Sequence, residues 1–276
     1  MGIVNTTLDR IGHWIARRVT DVATTYEPYA ASRPEFVARV IQPGDVLLIE
    51  GGRSKIASAI KYLTQSTWSH AALYVGDTLE TKDADGRVLS LIEAELGYGI
   101  IASPLEKYAS YNTRICRPVG LTPEDRGRMI EYAVARVGGQ YDLRNVIDLV
   151  RFLLPNPPIP QRFRRRMLSL GSGEPTRAIC STLIAAAFEA VRYPILPRIE
   201  QSSEIDAMGR ARRREVLHIR HSSLYTPRDF DVSPFFRIVK PTIELGFDYK
   251  EMVWSDQNAG TPEALGRTAL EAKPPA

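Results

Sequence analysis

Two residues of this chain stand where side chains can do nucleophilic chemistry. Cys180 lies where "AIC" gives way to "STLIAAAFEAV", at the predicted N-terminus of an apolar helix. Free amides and the helix dipole at such a position favour a thiolate, the reactive form of cysteine. His70 stands in "STWSHAALYVGD", at the mouth of a short apolar strand closed by the turn signal Gly76-Asp77. An imidazole there can take a proton from a nucleophile, provided that a rigid element supports it. Each residue also has a plain structural reading. Cys180 can be a small core residue, and His70 can hold a loop through one hydrogen bond. The other cysteine, Cys116, falls mid-strand between Arg114 and Pro118 with no helix start behind it, and reads as structural. His218 and His221, in "HIRHSS", are spaced poorly for a metal, and no cysteine or acid completes a set.

A nucleophile–base pair needs a third polar group to hold the ring and fix its tautomer. If the His70 strand and the Leu89–Glu95 strand form a hairpin, Glu93 in "LSLIEAE" lies within reach. A carboxylate inside an apolar strand is costly unless paired, which speaks for a role. Glu95 shares its face by alternation and is the rival third member. Glu93 is preferred because Ile92 and Ala94 flank it, deeper in the strand.

The elements that must position these residues follow from pattern. Leu8, Ile11, Ile15, Val19 and Val22 recur at helical spacing, with Trp14 and Arg10, Arg17 and Arg18 around them. This reads as an amphipathic helix, packed on the domain or lying at a membrane interface. After a polar link, "IQPGDVLLIEG" gives a turn and a strand over Asp45–Ile49, and Ser54 caps a helix to about Leu63. Strands follow at His70, at Leu89–Glu95, near Gly99–Ala102 and through "NTRICRPV". The Asp83–Gly86 tip of the intervening hairpin faintly resembles a calcium loop, and a tight turn explains it better. Pro123 opens a helix that Gly138-Gly139 stops. An apolar helix over "QYDLRNVIDLVRFLLP" leads to a proline-rich basic segment, then to the Cys180 helix, a polar arginine-rich stretch and a last strand in "DVSPFFRIVKPTIEL".

The 276 residues, 44% hydrophobic and 25% charged, suit a globular protein. A formal charge of +4 favours anionic surfaces without naming one. Two cysteines make no disulfide framework. Without a signal sequence or an apolar span of about 18 residues, a cytoplasmic protein is expected, with peripheral membrane contact as the further reading.

The run "PGDVLLIEGG…STWSHAALYVGD…LIEAE…GGQYD…ICSTLIAAAF" resembles the YiiX/YebB-like branch of the NlpC-type cysteine hydrolases, a circularly permuted papain-like group. The order histidine, glutamate, cysteine is that of the permuted branch, and the resemblance spans about Gln42–Val191. It implies an α+β fold with an antiparallel sheet packed against helices. It also implies Cys180 as nucleophile, His70 as base and later acid, and Glu93 as the orienting residue, without metal or organic cofactor. Tyr141, in "GGQYD", and Ser181 become the expected substrate or oxyanion contacts, beside the Cys180 backbone amide.

The organisation expected is a helix and linker over 1–40, a catalytic domain over 41–254 with a basic insertion at about 155–175, and a disordered tail over 255–276. The activity implied is hydrolysis or acyl transfer at an amide, thioester or ester. The substrate is a small peptide or amide, or a lipid-linked acyl group. The lecithin:retinol acyltransferase group shares the permuted order, and the amphipathic start, the "VIDLVRFLLP" helix and Arg162, Arg164, Arg165 and Arg166 lean that way. No nucleic-acid motif is present. The rival class is an idle lipid- or peptide-binding module of the same fold.

Overall fold

The computed structural model describes residues 33–51, 55–95, 98–139, 179–205, 211–218 and 220–251. The expected helix over Leu8–Val22, the Ser54 cap, the segment from Tyr141 through the basic insertion, and the tail lie outside the described residues.

A six-stranded antiparallel sheet forms the centre, in the order β4-β3-β2-β1-β5-β8. Its strands are β1 (Val46–Ile49), β2 (His70–Tyr74), β3 (Leu89–Glu95), β4 (Gly99–Pro104), β5 (Thr113–Pro118) and β8 (Phe236–Val239). All four β1 residues are buried, because both faces of the strand are covered. That explains an unbroken apolar run where a one-sided strand would alternate. On one face Val46, Leu48, Leu73, Ile92 and Cys116 pack against α3 (Pro123–Val134) and α4 (Ile179–Ala190), through Met129, Ile184 and Phe188. On the other, Leu47, Ile49, Ala72, Leu91 and Ile115 meet Val37 of α1 (Pro34–Val40) and Tyr108 of a 3₁₀ turn (Leu105–Tyr108). Helix α2 (Lys55–Thr64) links β1 to β2.

The fold is thus α+β, an antiparallel sheet between helices, as expected. Every strand expected up to β5 is present to within about two residues. Four differences are local. The link before β1 contains α1, opened by Pro34 at its first turn. The arginine-rich stretch is a hairpin, β6 (Arg198–Ile205) and β7 (Ala211–His218), paired by backbone hydrogen bonds; its polar residues show no apolar alternation to announce it. A short α5 (Pro227–Asp231) precedes β8, with a capping box between Thr226 and Asp229. The last strand is only the four residues of β8, because Pro241 starts α6 (Pro241–Glu244). The Asp83–Gly86 tip is a tight turn: Asp83 accepts from the Asp85 and Arg87 amides and from the Arg87 side chain. Among the described residues no helix is long and apolar enough to cross a membrane.

Candidate active site

His70 opens β2 opposite Ile49 of β1. Its backbone is fixed from both sides. The Ser69 amide donates to the Ile49 carbonyl at 3.2 Å, and the Ser69 hydroxyl accepts the Gly51 amide at 2.8 Å. A Cβ on Gly51 would sit 2.5 Å from that hydroxyl oxygen, so the close approach requires glycine.

β2 and β3 form the expected hairpin, with Leu73 opposite Ile92 and Tyr74 opposite Leu91. Ile92 and Ala94 enter the helix-side core, so alternation sends Leu91, Glu93 and Glu95 to the other face. Glu93 is fully buried there. Its Oε2 lies 2.5 Å from Nε2 of His70. Three further donors reach the same carboxylate: the Tyr108 hydroxyl at Oε2, the Ser103 hydroxyl at Oε1, and the Lys107 ammonium at Oε1, 2.8 Å away. A buried carboxylate is tolerated because it is so fully hydrogen-bonded. Burial opposes its ionisation, but the His70 hydrogen bond and charge, followed by Lys107, hold it well below the usual carboxylate range.

Cys180 lies in the first turn of α4 and is buried. Helix α4 packs on β2 and β3, which brings this turn to the end of the sheet where His70 stands. The Cys180 side chain lies close enough to His70 to act on its proton affinity. Since Glu93 occupies Nε2, the nitrogen left for Cys180 is Nδ1. Burial alone would lower the His70 pKa; the Cys180 charge and hydrogen bond, then those of Glu93, overcome it and raise it to about 10. The ring therefore holds its proton between the Cys180 sulfur and the Glu93 carboxylate, an arrangement that suits a nucleophilic cysteine.

The remaining sequence candidates fall elsewhere. Glu95 bonds Lys107 at 2.9 Å and not His70, so of the two acids it is Glu93 that meets the ring. Ser181 is fully buried and its hydroxyl donates to the Tyr225 carbonyl at 2.8 Å, tying α4 to the chain after β7. Tyr141 lies outside the described residues. Cys116 is buried mid-strand, and burial pushes its thiol up. His218 and His221 are both exposed, and among the described residues no group of three or more His, Cys, Asp or Glu side chains could hold a metal ion. A cavity of ≈ 360 Å³ lies on the sheet face away from α4, lined by Val37, Leu47, Leu105, Tyr108 and Tyr111 among others; it borders the site only through Tyr108.

Sequence reasoning missed Ser103, Lys107 and Tyr108. A four-residue 3₁₀ turn shows no period, and its two site residues reach Glu93 only because the turn crosses the face of the sheet. The one available signal was the need of Glu93 for partners.

Residues 40–148 match the family model described as permuted papain-like amidase enzyme, YaeF/YiiX, C92 family. That segment carries His70 and Glu93, while Cys180 lies beyond it. Among solved structures, the metalloprotein yiiX from Escherichia coli O157:H7 is similar at 14% identity, over 78% of this chain and 98% of that one, with a TM-score of 0.39. No curated protein matches. The family match agrees with the resemblance read from the motifs, with a permuted papain-like fold, and with an enzyme of the papain-like cysteine hydrolase class, an amidase or peptidase.

Proposed function

We propose that this chain hydrolyses a small amide or peptide through an acyl-enzyme on Cys180, with His70 as acid and base and Glu93 as the orienting residue. The observation that carries the reading is the buried Glu93 carboxylate holding Nε2 of His70 at 2.5 Å, with Cys180 in the first turn of α4 acting on the same ring. The cysteine thiolate attacks the acyl carbon, and the carbonyl π pair moves onto oxygen. The Cys180 backbone amide, at the helix start, is aimed at charge that develops only in that tetrahedral state. As the oxyanion collapses, the C–N bond breaks and Nδ1 of His70 gives its proton to the departing amine. The neutral ring then takes a proton from water, whose oxygen attacks the thioester. Collapse releases the carboxylic acid and the thiolate, and the imidazolium is restored. Glu93 keeps its charge throughout. It holds the tautomer that leaves Nδ1 facing sulfur.

The test is a panel of aminoacyl and dipeptidyl anilides assayed with Cys180→Ala and Cys116→Ala. Loss of turnover in the first variant alone is expected, with both variants folded. Undiminished turnover in Cys180→Ala would sink the assignment. Turnover of fatty-acyl esters with none of anilides would move the substrate class to lipid acyl groups.

A further inference from the structure

A carboxylate offers about four lone-pair positions, and Glu93 fills four. Oε1 takes Ser103 and Lys107; Oε2 takes Tyr108 and His70. Three of these donors come from the six residues 103–108, and two of the three are neutral hydroxyls. Lys107 is different. It brings a charge, competes with the imidazolium for the same carboxylate, and bridges onward to Glu95.

We propose that Lys107 is a positioning residue of the cysteine site, setting how tightly Glu93 holds the His70 imidazolium, and that Glu95 acts through it. The inference rests on the roles given above to Cys180, His70 and Glu93. The charged and titratable groups around the ring are Cys180 from α4, Glu93 and Glu95 from β3, and Lys107 and Tyr108 from the 3₁₀ turn. The thiolate and the two carboxylates keep the proton on the ring, and Lys107 opposes them. A carboxylate that already shares its charge with a lysine is less basic, so the ring gives up its Nδ1 proton to a leaving amine more readily. Lys107 thereby restrains a base that would otherwise hold its proton too tightly to serve as an acid. Glu95 divides the ammonium between two carboxylates and limits that restraint.

The experiment follows the His70 Cε1–H resonance of the full chain through a pH titration, assigned by its loss in His70→Gln. In Lys107→Met the titration is expected to move upward by about half a pH unit or more, a threefold or larger gain in proton affinity. Lys107→Arg keeps the charge and leaves the titration within about 0.2 of the wild type, and Glu95→Gln moves it down. On a turned-over anilide, Lys107→Met lowers kcat and leaves KM in place. A Lys107→Met titration that coincides with the wild type, or falls below it, overturns the proposal, as does an unchanged kcat. Lys107→Gln supplies a second neutral variant should the methionine one not fold. The titration needs no substrate. Turnover that survives Cys180→Ala removes the proposed function, whereas a failed titration beside an inactive Cys180→Ala removes only the role of Lys107.

Discussion

Replacing Glu93 by glutamine removes one charge and almost no volume, and its effect on His70 follows from the geometry. The amide oxygen can stand in for Oε2 toward His70 and Tyr108, while the Ser103 hydroxyl rotates to accept from the amide nitrogen and Lys107 keeps Glu95. What disappears is the ionic half of the 2.5 Å contact to the ring. A hydrogen bond to a charged group contributes about 1.5–3 kcal/mol, and each 1.36 kcal/mol is tenfold in proton affinity. From its raised value of about 10, His70 in Glu93→Gln is then expected to titrate between about 8 and 9. The same NMR titration of Cε1–H reads it directly. A variant that still titrates near the wild-type value would refute the role given to Glu93. A wild-type ring that titrates near the ordinary 6.5 would refute the ion pair itself.

The same groups set a pH window for stability. The raised His70 value contributes stability that is fully present below about 6.5 and lost as pH climbs toward about 10. The depressed Glu93 value contributes stability that is fully present above 4.5 and lost on acidification. Thermal melts should therefore be highest between pH 4.5 and 6.5, and His70→Gln should lose more stability inside that window than above pH 10. Arg117 holds buried Asp45 through two nitrogens, at 2.9 and 2.7 Å. Arg117→Ala strands that carboxylate and should cost about 3–5 kcal/mol in urea unfolding; a loss under 1 kcal/mol would mean that water replaces the guanidinium. Gly51→Ala forces a Cβ against the Ser69 hydroxyl, so it should slow Cys180 alkylation while leaving the far side of the sheet intact by hydrogen exchange. An unchanged alkylation rate there would show that Ser69 does not position His70.

Much of the fold was legible because hydrophobic pattern and turn chemistry are local. The His70 strand, the β3 run and the Cys180 helix each declare themselves within about a dozen residues. Hairpin pairing between β2 and β3 followed from their closeness along the chain, and it carried Glu93 to His70. Where pattern is weak, reading failed. The β6–β7 hairpin is held by backbone hydrogen bonds that any polar sequence can make. The α1 and α5 helices are too short to show a period, and Pro241 divides what looked like one strand. Ser181 illustrates a different limit. Its neighbour in sequence is the nucleophile, yet a helix turns successive residues about 100° apart, and Ser181 faces the core.

By itself the sequence determined which residues could act: a cysteine at a helix start, a histidine at a strand mouth, and an acid that could not stay buried alone. Tertiary structure decided which acid meets the ring, which ring nitrogen is left for sulfur, and which groups hold the carboxylate. Those are questions of register across strands and of a 3₁₀ turn crossing a sheet face. Donors ten to fifteen residues from Glu93 in sequence reach it only once β3, β4 and that turn are assembled, and no local pattern encodes their convergence.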